Sequence, residues 1–517
     1  MIIETIKLNE MGMFPEFFLG IGIIYLLLHG LLVSFNIKNR FPLIQSSIVS
    51  LSVLCLIMVC ILLSDSINCI SFCNTITNDY LSFITKIIIG LVSIGCLLLI
   101  QQYLSIQRIN SFEYMIIILF AILGLFLLCC ANDLITAYLA IELQSLSFYV
   151  LAAFKKDSTH SIESGLKYFI LGAFSSGLFL FGSSFIYGAS GSVNFSDLKD
   201  LALLGENSLI LQELNVSRYD NLTLIGVTFI YIGMFFKLAV APFHIWSPDV
   251  YEGSPTSSTL FFAIVPKISI FILLTRLSYY TFPTFIGICQ EYITIIAIAS
   301  IIIGSVAGLE QRKFKSLLAY SSISHMGYIL ISFSLGSVEG FQVLFCYLII
   351  YVGSGLCIWS IFILTRLKLI YNKKQNKDLS NLTLLCKSNN MLALVLMVAL
   401  FSIAGLPPMI GFIVKLGIFL AAIEQSMYIV VLVSIIFSVI STFIYLRIVK
   451  VLFFESVLVG NLYYSIKSQK ALIGAIFAYL FIFLFINPSI LYLACQKISL
   501  LFCNSTFLAQ LDRATAF

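Results

Sequence analysis

Residues 389–423 read NNMLALVLMVALFSIAGLPPMIGFIVKLGIFLAAI, a long and almost wholly apolar run. A straight helix needs about 20 residues to cross a bilayer, so this run is too long for one unbroken span. Gly405-Leu406-Pro407-Pro408 stands in its middle, and proline removes a backbone donor and interrupts a helix. Within a membrane, such a break is tolerated only where protein or internal water satisfies the freed backbone groups. The run, with Lys415 just beyond the prolines, predicts a broken membrane helix that carries a charge.

The rest of the chain has the same apolar character. Of its 517 residues, 60% are hydrophobic and 10% are charged, and the mean hydropathy is +1.06. A water-soluble protein of this length needs far more polar surface, so we predict an all-α polytopic membrane protein. Reading the apolar runs between polar breaks gives about 14 transmembrane helices. They lie near 17–35, 42–63, 81–100, 114–131, 134–154, 165–189, 222–244, 256–279, 283–307, 316–336, 340–366, 389–423, 427–453 and 471–494.

A second broken helix is predicted near Pro242. The seventh run ends in Val240-Ala241-Pro242-Phe243-His244, which interrupts the helix in the same way. The ends of broken helices present dipoles and free backbone groups at membrane depth, as in many transport proteins. The pattern therefore indicates transport, although it does not specify the ion.

Basic residues collect in alternate loops between the predicted spans. By the positive-inside rule these loops face the cytoplasm or the matrix, and an even number of spans then places both termini on the outer side. The net charge of +5 is modest, and we predict no nucleic-acid partner. The basic loops contain Lys38 and Arg40; Arg108; Lys155 and Lys156; Arg312, Lys313 and Lys315; and Lys368, Lys373, Lys374 and Lys377.

Five ionisable side chains lie well inside predicted spans: Glu142, Lys237, Lys267, His325 and Lys415. A charge at the bilayer centre costs roughly 2.5–3.5 kcal/mol on the insertion scale, so such residues are retained where they pair, lose their charge or border water. Desolvation lowers the pKa of a buried lysine in general, and a nearby carboxylate raises it again. A lysine in that setting can hold or release a proton, and the set predicts a proton path.

Each of these residues also has a structural interpretation. Lys237 lies near the end of its span, where its side chain could extend to the interface. Glu142 could be a structural counter-ion, and His325 a hydrogen-bonded packing residue. His244, at the break, fits either a relay or a helix cap. Two further lysines near span ends, Lys86 and Lys167, are predicted to be interfacial.

No motif for redox or hydrolytic chemistry occurs in the chain. The thirteen cysteines include no C-x-x-C pair, so no ligand set for zinc or an iron–sulfur cluster is evident. The sequence also lacks G-x-S-x-G, H-E-x-x-H and P-loop patterns. Residues 1–10 contain Glu4 and Glu10 and no arginine, unlike a transit or signal peptide. We therefore expect synthesis inside a bacterium or an organelle, and electron carriers on other chains.

Several segments resemble one family of respiratory proteins: subunit 2 of mitochondrial NADH dehydrogenase and its bacterial counterpart, the N subunit of complex I. The stretch APFHIWSPDVYEGSPT at 241–256 resembles this subunit more than its two larger antiporter-like relatives. The first hundred residues match more loosely. The similar segments are NDL at 132–134, YLAIELQSLSFYVLA at 138–152, GLKYFILGAFSSGLFLFG at 165–182, FKLAVAPFHIWSPDVYEGSPT at 236–256, PKISIF at 266–271, LLAYSSISHMGY at 317–328 and FSIAGLPPMIGFIVK at 401–415.

The resemblance implies a fourteen-helix antiporter-like fold with two inverted five-helix units. The expected parts are an N-terminal three-helix segment, two antiporter-like helix units, a C-terminal transmembrane helix and a tail of unknown role. They span 1–111, 112–280, 281–455, 456–496 and 497–517.

The resemblance also implies a role in proton translocation for each ionisable residue. Glu142 would be the counter-ion that modulates Lys237. Lys267 and His325 would form the central relay, and Lys415 would be the terminal lysine of the path. His244 would contribute to the inner-side route.

By this resemblance, the chain would be a proton-translocating membrane-arm subunit of NADH:ubiquinone oxidoreductase, coupled to quinone reduction in other subunits. NADH, FMN, iron–sulfur clusters and ubiquinone would be bound by other subunits, and this chain would hold no cofactor. Its partners would be other membrane-arm subunits, including antiporter-like ones, and membrane lipids. It would be organelle-encoded and lie in the mitochondrial inner membrane, with both termini on the intermembrane-space side.

Two other functions would use the same buried residues. One is a cation/proton antiporter subunit, which sodium-dependent exchange without NADH oxidation would favour. The other is a scaffold subunit without its own proton path, in which the buried lysines would tolerate neutral replacement as long as the complex assembles.

Overall fold

A computed structural model describes residues 11–34, 46–63, 69–107, 109, 111–207, 216–365, 379–455 and 468–504. The described part is helical apart from one small antiparallel sheet of two strands. Several predicted features lie outside these residues: the basic positions Lys38, Arg40, Arg108, Lys368, Lys373, Lys374 and Lys377, and the tail from 505.

In the described residues up to 275, the chain forms ten α-helices and the two strands. The helices are α1 (Phe14–Ser34), α2 (Ser46–Leu62), α3 (Tyr80–Gln107), α4 (Glu113–Cys130), α5 (Leu134–Ala152), α6 (Thr159–Ser190), α7 (Phe195–Asn207), α8 (Val216–Leu238), α9 (Trp246–Gly253) and α10 (Thr256–Thr275). A 3₁₀ turn, Met11–Met13, precedes α1, and the strands are β1 (Cys69–Ser71) and β2 (Ile76–Asn78).

The second half continues the helical pattern. After α10 come a π-helical turn, Arg276–Thr281, and a 3₁₀ turn, Pro283–Phe285. A further 3₁₀ segment, Leu379–Leu384, precedes α14. The helices are α11 (Ile286–Glu310), α12 (Phe314–Ser334), α13 (Val338–Leu364), α14 (Leu385–Ser388), α15 (Asn390–Ala404), α16 (Ile410–Glu424), α17 (Tyr428–Phe453), α18 (Ser468–Ile486) and α19 (Ser489–Asn504).

Each of the fourteen predicted apolar runs contains a helix. Among the described residues, ten helices are long and apolar enough to cross a membrane, and eleven if the bent pair 474–486 and 489–502 forms one span. The three remaining predicted spans are α2, α12 and the broken run of α15 and α16. The fold class is therefore confirmed, whereas the number fourteen stays a prediction, as does the division at 112, 281, 456 and 497.

Both predicted helix breaks are confirmed by the helix bounds. The first separates α8 from α9 at 239–245, and the second separates α15 from α16 at 405–409. Gly405 ends α15 with a left-handed φ of 77°, and its N–H bonds back to Phe401. Glycine adopts this conformation without a steric penalty, so the position suits a helix C-terminus.

Local side chains start several helices as capping rules predict. The carboxylate of Asp133 accepts from the Ile135 N–H at 3.2 Å and starts α5, and the Asn389 amide oxygen accepts from the Leu392 N–H and starts α15. These contacts satisfy amides that have no partner within the helix. Burial raises the pKa of the Asp133 carboxyl, and the amide hydrogen bonds at the helix start partly offset that effect.

The helices pack around α10. All residues of α10 are buried, and it contacts α3, α4, α5, α8 and α13. Peripheral helices such as α17 instead expose large apolar side chains, including Ile429, Val439 and Phe443. An apolar outer surface around a buried centre is what a lipid environment requires, because water would leave those side chains unfavourably solvated.

Candidate functional site

Lys267 lies at the centre of the helix packing, on α10. Its side chain is buried, and its Nζ donates to the hydroxyl of Tyr351, on α13, at 2.8 Å. That hydroxyl donates in turn to the carbonyl of Ala263 at 3.2 Å. Pro266 lacks an N–H and therefore interrupts the hydrogen-bond ladder of α10 beside the lysine. The lysine thus has a neutral hydrogen-bond partner in a locally irregular helix.

His325 lies on α12 between two tyrosines. Its Nδ1 is 2.7 Å from the Tyr347 hydroxyl, on α13, and its Nε2 is 2.9 Å from the Tyr445 hydroxyl, on α17. The histidine and both tyrosines are buried. The ring centroid of Tyr351, the partner of Lys267, is 5.9 Å from that of His325. Four helices therefore bring the predicted central relay residues together.

Lys415 lies on α16, just after the second break. The break leaves the last carbonyls of α15 without intrahelical partners. The Lys415 Nζ donates to one of them, the Ala404 carbonyl, at 2.7 Å, and it lies 5.2 Å from the ring centre of Tyr328. A cation at a helix C-terminus is favourable because it complements the helix dipole. The break therefore provides the free carbonyl to which the Lys415 side chain donates.

A small cavity joins the surroundings of His325 to those of Lys415. Its volume is about 10 Å³, and its lining includes Tyr347, Tyr351, Ser402, His325 and Lys415. A buried water needs about 10–15 Å³ and two to four polar partners. The Ser402 hydroxyl is buried and has no hydrogen-bond partner among the residues that the structure describes. The cavity thus has room and polar groups for one water molecule between the phenols and the lysine.

Close packing at the break brings α16 against α15. A Cβ on Gly411 would collide with the Ser402 carbonyl oxygen, and a Cβ on Gly405 would lie 2.7 Å from Cδ of Lys415. Glycine at both positions therefore lets the two half-helices approach each other and leaves room for the lysine side chain.

Lys237 and Glu142 occupy a second region, at the first break. Lys237 is the second-last residue of α8, and its Nζ donates to the Tyr149 hydroxyl at 3.3 Å. Glu142, Ser145 and Tyr149 share one face of α5 because of their helical spacing. Ser145 donates to Glu142 Oε2 at 3.4 Å. Within the described residues no ion pair joins Glu142 to Lys237, and Glu142 Oε1 has no hydrogen-bond partner.

His244 lies in the first break and is half-buried. Its Nδ1 is buried without a hydrogen-bond partner, and its carbonyl accepts from the Ser247 N–H at 2.9 Å. The indole of Trp246, and not His244, caps the C-terminal end of α8, because its Nε1 donates to the Phe236 carbonyl at 2.9 Å. The structure thus gathers Lys267, His325 and Lys415 in one cluster, whereas His244 remains apart from them.

A buried ion pair lies outside the predicted path. The Lys86 Nζ, on α3, is 2.5 Å from Glu16 Oε1, on α1, and donates to Asn78 Oδ1 at 2.7 Å. Only 1% of the Lys86 side chain and 3% of the Glu16 side chain are exposed. The prediction that Lys86 is interfacial is therefore wrong, because the packing of α1 against its neighbours supplies a carboxylate that allows the charge to be buried. Lys167, by contrast, is exposed and pairs with Glu163 and Asp249.

Strand β2 connects this ion pair to the end of α10. Residues that alternate along a strand point to opposite sides. Asn78 contacts Lys86, whereas its neighbours Thr77 and Asp79 accept from Arg276, at 2.6 Å and 3.0 Å. Arg276 is buried at the start of the π-helical turn that follows α10. The strand therefore joins the N-terminal helices to the helix that carries Lys267.

An open polar cleft of about 670 Å³ lies among residues of the predicted inner loops. Its lining includes Lys155, Lys313 and Lys315 and extends to Ser254 and Thr256, where α10 begins. Lys313 pairs with Glu252, and the Lys315 Nζ donates to the Ser254 carbonyl at 2.8 Å. Polar groups thus lead from the surface to the first turn of the central helix.

No group of three or more His, Cys, Asp or Glu side chains in the described ranges could hold a metal ion.

Four groups of the site were not predicted from sequence: Tyr149, Tyr347, Tyr351 and Tyr445. Tyr347 and Tyr351 are four residues apart on α13, a spacing that places both on one helix face. That spacing, together with the three buried ionisable groups predicted nearby, was the sequence signal that could have identified these tyrosines. It specifies neither the facing helix nor the hydrogen bonds, which depend on how α10, α12 and α17 meet.

Comparisons with known proteins find similarity over nearly the whole chain. The family described as "NADH:quinone oxidoreductase/Mrp antiporter, TM" matches residues 131–441. NADH-ubiquinone oxidoreductase chain 2 of Marchantia polymorpha is 38% identical over 499 residues, 95% of this chain and 99% of the relative. NADH-quinone oxidoreductase subunit N of Pelagibacter ubique is 40% identical over 444 residues, 85% of this chain and 89% of the relative.

Solved structures show the same architecture. A chain of respiratory complex I from Thermus thermophilus, with bound aureothin, has a TM-score of 0.75 at 26% identity, covering 92% of this chain and 98% of that one. A chain of the Mrp complex from Dietzia sp. has a TM-score of 0.77 at 16% identity, covering 96% and 99%, a likeness of fold alone.

Proposed function

The chain belongs to the family of NADH-quinone oxidoreductase subunit N and its mitochondrial counterpart, chain 2, and from this premise we propose that it translocates protons in the membrane arm of such a complex. Quinone reduction in other subunits would drive the transfer. One observation carries the proposal: Lys267, His325 and Lys415 lie in one buried cluster and are bonded to neutral groups.

Neutral partners suit lysines that must exchange protons. A buried ammonium that pairs with a carboxylate is held in its charged form, because deprotonation would leave the carboxylate unpaired. A phenol or a carbonyl accepts a hydrogen bond from an ammonium but does not require its charge. Lys267 on Tyr351 and Lys415 on Ala404 are of this kind.

The route we propose follows these contacts. Protons enter through the polar cleft that ends at Ser254 and Thr256. They reach Lys267, pass by Tyr351 and His325 to the small cavity, and arrive at Lys415. One water in the cavity would span the gap from the phenols to Lys415, since direct hydrogen bonds need distances near 3 Å.

The first break supplies the control of this path. Glu142 modulates Lys237 through their electrostatic attraction, with Ser145 and Tyr149 between them. A charge shift in a neighbouring subunit that draws Glu142 away would weaken the hold of Lys237 on its proton. His244, with its unpartnered buried Nδ1, belongs to the inner-side route.

The setting follows from the relatives. We propose that NADH, FMN, iron–sulfur clusters and ubiquinone are bound by other subunits and that this chain holds no redox centre. Its partners are neighbouring membrane-arm subunits and lipids. The relative from Marchantia supports a place in the mitochondrial inner membrane. We further propose that the chain is synthesised in the organelle and that both termini face the intermembrane space.

A native gel tests membership in the complex. Membranes are solubilised in a mild detergent, probed for this chain and stained for NADH oxidation. Comigration with a very large NADH-oxidising band is expected. Migration as a small assembly without that activity would favour the cation/proton antiporter.

Replacement of Lys237 by alanine tests translocation. The assembled complex is reconstituted in liposomes, and protons moved per electron are measured. We expect the ratio to fall while the complex still assembles. An unchanged ratio would leave a scaffold as the remaining function.

A further inference from the structure

His325 has a feature that the proposed path does not yet use, namely that both of its ring nitrogens are engaged by phenols. Nδ1 is 2.7 Å from the Tyr347 hydroxyl and Nε2 is 2.9 Å from the Tyr445 hydroxyl. All three side chains are buried. The three groups form a continuous hydrogen-bonded line from α17 through α12 to α13.

A neutral imidazole has one N–H donor and one acceptor nitrogen. In the line Tyr445–His325–Tyr347, one phenol must therefore donate to the ring while the other accepts from it. Two arrangements of the hydrogens satisfy the line equally well. They differ in the tautomer of the histidine and in the direction of both hydroxyls.

We propose that Tyr347 and Tyr445 are relay residues and that His325 passes protons by tautomer exchange. The proposal rests on the proposed function and adds to it the groups that carry the proton through the centre of the path.

The step balances in atoms and charge. A proton from Lys267, carried by water past Tyr351, arrives at the Tyr445 oxygen while the original hydroxyl hydrogen moves to Nε2. The hydrogen on Nδ1 moves to the Tyr347 oxygen, and the hydroxyl hydrogen of Tyr347 leaves toward the cavity. Each oxygen ends with one hydrogen, the ring ends with one N–H, and no group has gained a charge.

The surroundings favour transfer through a neutral ring. Lys415 lines the same cavity as His325, and Lys267 is bonded to Tyr351, whose ring lies 5.9 Å from the histidine. An imidazolium here would place a third cation beside two lysines in a buried region, where like charges repel strongly. Tautomer exchange moves the proton without that charge.

The Tyr347 end of the line opens on the cavity shared with Lys415. The Tyr445 end lies on α17, with its hydroxyl bonded to Nε2 of the histidine. After one transfer the ring holds its hydrogen on the other nitrogen. A second proton cannot follow in the same direction until the first tautomer is restored, so the histidine passes one proton at a time.

Phenylalanine at each tyrosine tests the relay, because it keeps the ring and removes only the hydroxyl. The variants Tyr347→Phe and Tyr445→Phe are compared with Lys267→Met in the reconstituted complex, with protons per electron as the readout. We expect both to fall to the ratio of Lys267→Met. Tyr279→Phe is the matched control, since Tyr279 is equally buried and its hydroxyl donates to the Phe333 carbonyl at 2.8 Å, outside the proposed path.

The outcomes separate the inference from the proposed function. If both phenylalanine variants keep the ratio of Tyr279→Phe while Lys267→Met lowers it, the relay is wrong and the proposed function stands. If Lys267→Met keeps the ratio in an assembled complex, the proposed function itself is wrong.

A spectroscopic measurement covers the case in which a variant fails to assemble. Infrared difference spectra are recorded during turnover of the complex with isotope-labelled histidine, and the bands that His325→Gln removes belong to His325. We expect bands of both neutral tautomers of His325 to change during turnover. An imidazolium band from His325 would overturn the inference.

Discussion

Lys86 and Lys267 are both buried lysines, yet their partners differ in charge. Lys86 lies among the N-terminal helices and contacts the carboxylate of Glu16 at 2.5 Å. Lys267 lies on the central helix and contacts the phenol of Tyr351 at 2.8 Å. Lys415 resembles Lys267, because its partner is the carbonyl of Ala404.

The difference separates a structural charge from an exchangeable one. In the first region the two charges compensate each other, so removing one leaves the other buried and unpaired. In the second region the partner remains satisfied when the lysine is neutral, since the Tyr351 hydroxyl also bonds to the Ala263 carbonyl. Under the proposed function, burial alone therefore does not identify a proton carrier, and we expect a buried lysine bonded only to neutral groups to be one.

The largest expected effect comes from breaking the structural pair. Lys86→Met leaves Glu16 buried without its counter-ion, and the loss of one partner of such a pair costs about 3–5 kcal/mol. We expect little assembled complex on a mild-detergent native gel. The double variant Glu16→Met/Lys86→Met removes both charges and should recover most of the assembly. Equal loss in the single and the double variant would show that the pair is not the cause.

A smaller effect is expected at the second break. Gly405→Ala places a side chain in the left-handed region, which costs about 1–2 kcal/mol, and its Cβ would press on Cδ of Lys415 at 2.7 Å. We expect reduced protons per electron. Gly191→Ala is the control, because Gly191 has a similar φ of 72° and no heavy atom near its Cβ position. Gly191→Ala should carry the same backbone strain but keep the wild-type number of protons per electron. A similar fall in both variants would mean that backbone strain alone causes it.

The smallest effect is expected at Asp79. Its side chain is 53% exposed and pairs with Arg276, which also bonds to Thr77. Arg276 is buried, but asparagine keeps a side-chain oxygen that can accept from it, so Asp79→Asn should lower the thermal stability of the complex only slightly. A loss as large as that of Lys86→Met would mean that the charge of Asp79, and not only its geometry, fixes the end of α10.

Sequence patterns predicted the elements better than the contacts. Apolar runs marked fourteen segments that contain helices, and Gly405 to Pro408 marked a break, because helix length and proline chemistry are local properties. The pairing of Glu16 with Lys86 was missed, since their helices are distant in sequence and only packing brings them together. The phenols around His325 were missed for the same reason. The roles of all six residues of the predicted path stay predictions: Glu142, Lys237, His244, Lys267, His325 and Lys415.

The contrast between the two lysines can be tested in one experiment. Protons moved per electron are measured for reconstituted complexes that carry Lys267→Met or Glu16→Met/Lys86→Met. We predict that Lys267→Met lowers the ratio and that the double variant keeps the wild-type value. A wild-type ratio with Lys267→Met, or an equal fall in both complexes, would contradict the assignment of proton transfer to lysines with neutral partners.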